Sequence, residues 1–116
     1  MNEKLRRRQE ARTAGCRFMN DRDKGRFEEL ENTTVTLVDA YKIHKEDTSY
    51  WAFIVAEDPE NFYFANTALA IILDDAEELA QEDASTIADQ IDGLQIRIGA
   101  MERGKKGKSF RPVDIV

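Results

Sequence analysis

The chain has very little cysteine, histidine or proline. Cys16 and His44 are the sole residues of their kinds among 116. An intramolecular disulfide is therefore excluded, and so is a zinc cluster of the common type. A lone thiol suits a reducing compartment, and a cytoplasmic location is expected. Long apolar runs are also missing. The longest, Ala65 to Leu73, is interrupted by Asn66 and Thr67 and falls well short of the ~18 residues of a membrane-spanning helix. No membrane partner is expected. The basic residues near the start are not followed by an apolar stretch, so a secretory signal is not expected either. Signatures of catalysis are lacking. His44 and Cys16 have no nucleophile, base or orienting group beside them in sequence. Gly104-Lys105-Lys106-Gly107-Lys108 lacks the spacing of a phosphate-binding P-loop. The expectation is a protein that is not an enzyme and uses no cofactor and no metal.

Hydrophobic residues make up 41% of the chain, enough for one packed domain of this length. The net charge of −6 hides an asymmetry. Both ends are rich in Lys and Arg, whereas residues 31–96 carry only Lys42 and Lys45 against a large excess of Asp and Glu. Basic ends can mark a polyanion site, and they can equally serve solubility.

The chain divides into a basic N-terminal arm, residues 1–30, partly flexible, and a domain over residues 31–116. In the arm, Lys4, Arg6, Arg7, Arg8 and Arg12 accompany too few apolar residues for firm docking. Residues 13–24 show no clear period, and Gly25 to Glu31 suits a short helical turn. Thr33 to His44 alternates with period two and is rich in β-branched residues, as a strand requires. Asp39 interrupts its apolar face and suits a bulge. Lys45 to Ser49 reads as a polar hairpin loop. Tyr50 to Ala56 reads as a second strand with neither face polar. Glu57 to Asn61 reads as a turn, and Phe62 to Phe64 as a short third strand.

Asn66 or Thr67 can cap a helix whose apolar face holds Leu69, Ile72, Leu73, Ala76 and Leu79. A second helical turn spans Ser85 to Ile91 and stops at Gly93. Leu94 to Glu102 alternates as a fourth strand, with Leu94, Ile96 and Ile98 on one face. A basic loop, Arg103 to Lys108, leads to a fifth, Ser109 to Val116. Either Val113 and Ile115 or Phe110 and Val116 point inward there.

Three strands, a helix and two strands is the order of the OB-fold, a five-stranded Greek-key barrel. The run TVTLVDAYKI, then YWAFIVAEDPENFYF, a helix, and LQIRIGAMERGKKGKSFRPVDIV resembles small single-stranded-DNA-binding-like proteins of phages and mobile elements, over about residues 32–116. The resemblance implies a mainly β fold with one helical insertion, closed as a barrel. It also implies low-specificity binding of single-stranded DNA, or RNA, in replication or recombination. The groove would cross the second and third strands, bordered by Lys45–Ser49 and Arg103–Lys108.

Two constellations fit that chemistry. The aromatics cluster between Tyr41 and Phe64, and single-strand binders stack bases on exposed rings, although rings also fill cores. Tyr50 and Trp51 are adjacent in one strand and point to opposite faces. One of them, together with Tyr63, is a candidate for stacking. Arg97, Arg103, Lys105, Lys106, Lys108 and Arg111 form the candidate phosphate contacts. The acidic stretch from Asp74 to Asp92 contains no basic residue. It suits a surface for a basic protein partner, and the alternative function is an acidic interaction module or DNA mimic that binds no nucleic acid. Pairing at a strand edge would give a homo-oligomer.

Overall fold

A computed structural model describes residues 3, 5–6, 18–103, 107 and 109–116. The element order is β1 (Asp23–Lys24), a 3-10 turn (Phe27–Leu30), β2 (Thr33–Lys45), β3 (Thr48–Val55), β4 (Asp58–Phe64), α1 (Thr67–Glu82), α2 (Ile87–Ile91), β5 (Gln95–Ile98), β6 (Glu102–Arg103), β7 (Ser109–Phe110) and β8 (Val113–Ile115). The molecule is mainly β, with its helices inserted between the third and fourth long strands. Six strands form one sheet in the order β1-β4-β3-β2-β5-β8, and β6 and β7 make a separate hairpin.

β2 is the spine. Its first half pairs with β5 and its second half with β3, both antiparallel. The register shifts between Leu37 and Asp39. The polar side chain expected to break the strand turns back on itself there, with the Ala40 N–H donating to Asp39 Oδ1 at 2.8 Å. A bulge bends a strand and raises its twist, which lets β2 serve both halves of the sheet. The two-residue turn at Glu46 and Asp47 joins β2 to β3 with Lys45 opposite Thr48.

The expected closure into a barrel is not made. No pairing joins β4 to β8; β1 instead lies parallel along the outer edge of β4, with Asp23 opposite Asn61 and Lys24 opposite Phe62. The strands near the C-terminus are also shorter than expected. β5 ends at Ile98, where Gly99 donates its N–H to Pro112 O at 2.9 Å. A Cβ on Gly99 would lie 2.8 Å from Pro112 Cγ, so only glycine permits this approach. Of the two inward pairs proposed for the last strand neither is complete. Val113 packs on the core, while Phe110, Ile115 and Val116 are exposed.

The main core lies on one side of the sheet. Val35, Leu37, Trp51, Phe53, Val55, Tyr63, Ile96 and Ile98 meet Leu69, Leu73 and Ala76 of α1 and Ile91 of α2. Leu79 was expected on the buried face of α1 but is exposed, and Ala80 is buried in its place. α1 is capped as expected by Asn66, whose Oδ1 accepts from Leu69 N at 2.9 Å. α2 starts with a capping box between Thr86 and Asp89 and stops before Gly93, which adopts φ +87°. Packing continues upstream of residue 31: Leu30 joins the main core and Phe18 is buried on the other side of the sheet.

Candidate nucleic-acid interface

Strand alternation decides which rings of β3 and β4 are available. Trp51, Phe53 and Val55 face α1, as does Tyr63. Ala52, Ile54 and Phe62 face the opposite side and form a second apolar cluster, flanked by Val38, Tyr41, Ile43 and Phe64. Tyr50 shares the phase of Ala52 and Ile54 on β3 and stands opposite Ile43 of β2. Of the two adjacent candidates, Tyr50 is therefore the ring on the outer face.

Trp51 is 2% exposed. Its Nε1 donates to Asp74 Oδ1 at 2.9 Å, and the Lys42 ammonium lies 5.5 Å from its ring centre. Lys42 also bridges Asp74 and Glu77 of α1 at 3.2 and 3.3 Å. The indole thus ties β3 to α1 and has no face to offer a base. Tyr63, also 2% exposed, stacks on Phe53 with ring centres 5.7 Å apart. Its hydroxyl donates to Asp58. Burial and that carboxylate push the phenol up to about 12, and the same bond holds Asp58 below the ordinary aspartate range. The expectation of a stacking role for Trp51 and Tyr63 is corrected by their burial: these are core rings.

The phosphate candidates that are described have different environments. Arg97 is exposed on β5 and Arg103 on β6. Lys105, Lys106 and Lys108 lie outside the described residues, as do Lys4, Arg7, Arg8 and Arg12 of the arm. Arg111 is 9% exposed; its Nη2 donates to Glu31 Oε2 at 2.9 Å, and its guanidinium carbon lies 5.8 Å from the Phe27 ring centre. It joins the 3-10 region to the C-terminal strand, so its expected phosphate contact is also corrected.

The outer face gathers Tyr50 and Lys45 with two residues that the sequence did not single out, Phe64 and Lys24. Lys45 Nζ lies 5.6 Å from the Tyr50 ring centre. Tyr50 meets Phe64 edge to face at 5.3 Å, and the Lys24 ammonium lies 5.0 Å from the Phe64 ring centre. Lys45, Tyr50, Phe64 and Lys24 thus form a continuous cation–ring–ring–cation path across β2, β3, β4 and β1. Phe62 extends it, 5.5 Å from Phe64. Both central rings are half-buried, so each keeps accessible surface while its base is fixed in the sheet. Phe64 had a usable signal, since it shares its phase with Phe62 and opposes Tyr63. Lys24 had none, because its place depends on β1 pairing with a strand far along the chain.

The carboxylates of the acidic stretch lie elsewhere, although Glu46 and Asp47 adjoin Lys45 and Asp23 adjoins Lys24. Asp74, Asp75, Glu77, Glu78 and Glu82 belong to α1, on the other side of the sheet. Among the described residues no group of three or more His, Cys, Asp or Glu is arranged to hold a metal ion, and no helix is long and apolar enough to cross a membrane. Comparison with known proteins finds no family model that matches this chain, and no curated protein or solved structure that matches it.

Proposed function

We propose that this chain is a non-enzymatic binder of single-stranded nucleic acid, and that its interface is the outer face of β2, β3 and β4. The observation that carries the reading is the path Lys45–Tyr50–Phe64–Lys24. Unpaired bases stack on such rings without regard to sequence, and ammonium groups at either end take the backbone phosphates. A duplex offers no free base faces and is expected to bind more weakly.

The fold is compatible with this reading. The order β4-β3-β2-β5-β8 with helices between β4 and β5 supports reading the sheet as an OB-fold-like one left open between its third and fifth strands. Net negative charge is not an obstacle. The α1 carboxylates lie on the opposite side of the sheet from a strand on the outer face, and added salt weakens the repulsion that remains.

The test is fluorescence anisotropy of a labelled single strand of roughly 30 nucleotides beside its duplex, at several salt concentrations. Preference for the single strand, weakening with salt, is the expected result. No binding by either form rejects the reading. A second reading, a protein-interaction module, is favoured by Ile71 and Leu79. Both are exposed on α1 beside Asp75 and Glu78, a surface suited to a basic amphipathic partner. Recovery of one specific basic protein, unaffected by nuclease, would favour it.

A further inference from the structure

One ring on the outer face does not come from the sheet. Phe18 sits in a helical turn ahead of β1 and is 8% exposed, packed with Ala52, Ile54 and Phe62. Its ring centre lies 6.1 Å from that of Tyr41, and the Arg22 guanidinium carbon lies 5.6 Å from it. Beneath it the sheet carries a small side chain. Ala52, opposite Tyr41 on β2 and Phe64 on β4, is the smallest side chain of that row. A methyl between two rings leaves a depression that a flat overlying group fills.

Phe18 is held outside the sheet's ladder. Arg22 Nη1 donates to Phe18 O at 3.3 Å and Arg22 Nε donates to Pro59 O at 3.2 Å. Pairing with β4 starts only at Asp23. A flat apolar ring with an aromatic and a guanidinium as neighbours is also the environment in which proteins hold an unpaired base. The position adjoins Phe64, so a strand stacked on Tyr50 and Phe64 reaches it without crossing the acidic side of the molecule.

We propose that the position over Ala52, between Tyr41 and Phe64, is a third base-binding position, which the free protein fills with its own Phe18 and yields to a bound strand. The inference rests on the outer face being a single-strand site. Arg22 then loses its contact with Phe18 and stacks on the incoming base. Self-occupancy lowers the apparent affinity in proportion to the open fraction: a position open about one-tenth of the time binds about tenfold more weakly than one always open.

The experiment compares wild type with Phe18→Ala, binding a labelled oligothymidylate of roughly 15 nucleotides, with thermal melting as the check on folding. Binding about tenfold tighter in Phe18→Ala is the expected result. Binding by the variant alone supports the inference still more strongly. Equal or weaker binding by a folded Phe18→Ala, with wild type binding, overturns the third position and leaves the Tyr50–Phe64 site standing. No binding by either protein overturns both. Should the variant not fold, amide hydrogen exchange of wild type decides. Faster exchange at residues 18–22 on adding the oligothymidylate supports displacement, and unchanged or slower exchange overturns it.

Discussion

Replacing Tyr50 and Phe64 with alanine, singly, separates binding from folding. Neither ring belongs to the main core, and their edge-to-face contact at 5.3 Å is worth about 0.5–1.5 kcal/mol beyond burial. Each variant is expected to lose about 1–2 kcal/mol of stability, a fall in Tm of roughly 4–8 °C at this chain length. Its loss of binding is set by base stacking, about 1–3 kcal/mol per base, or roughly 5- to 150-fold in Kd. The matched control is Trp51→Phe. It removes the bond from Nε1 to Asp74, costing about 1–3 kcal/mol of stability, and should leave binding unchanged. The assay pairs anisotropy titration with thermal melting by circular dichroism. Folded Tyr50→Ala and Phe64→Ala proteins that bind as wild type does would refute the reasoning. A loss of binding in Trp51→Phe equal to theirs, with its fold intact, would refute it equally.

Lys24→Glu and Lys45→Glu should each weaken single-strand binding and flatten its salt dependence by about 0.7 in the log–log slope, the contribution of one phosphate contact; titration at several salt concentrations checks this. Gly25→Ala should destabilise by about 1–3 kcal/mol, read by urea unfolding, because the new Cβ would lie 2.3 Å from Tyr63 Cε1 and that ring is enclosed. Asn66→Ala removes both the α1 cap and the bond from Asn66 Nδ2 to Arg111 O at 2.9 Å; a loss of about 1–3 kcal/mol is expected in the same assay. The pH dependence has two limbs. Asp58 and Asp74 are held below the ordinary aspartate range, Asp58 by the Tyr63 hydroxyl and Asp74 by the Trp51 indole. Their contribution is present above the unfolded value and is lost as pH falls through the folded values, below about pH 4. Tyr63 titrates in the opposite sense. With its phenol pushed up to about 12, its contribution is complete below about pH 10 and is lost as pH rises from there through the folded value. Melting from pH 2 to 11 shows both limbs, and Tyr63→Phe should remove the alkaline one.

Much of the fold was legible because it is written locally. The alternation of Val35 and Leu37, the break at Asp39, the Asn66 cap and the stop at Gly93 each depend on a few neighbouring residues, and each occurs in the structure. Features that depend on distant partners were not legible. Alternation placed Tyr50 and Trp51 on opposite faces but could not say which face α1 covers, and that decides which ring is free. Arg111 read as one more basic residue, because its partner Glu31 lies 80 residues away. Residues 18–24 have no period of their own. Their positions come from the edge of β4 and the depression over Ala52, so Phe18, Arg22 and Lys24 carried no local signal. The single fifth strand that residues 109–116 suggest is divided in the structure for a related reason. Its two halves pair with different partners, β7 with β6 and β8 with β5, and only Val113 reaches the core.

The most direct test of the outer face is a titration of isotope-labelled protein with a short oligothymidylate, followed by amide chemical shifts. The account predicts shifts concentrated at Lys24, Lys45, Tyr50 and Phe64, with α1 silent. Shifts confined to the β6–β7 hairpin, or to α1, would contradict it, and so would a spectrum that does not change.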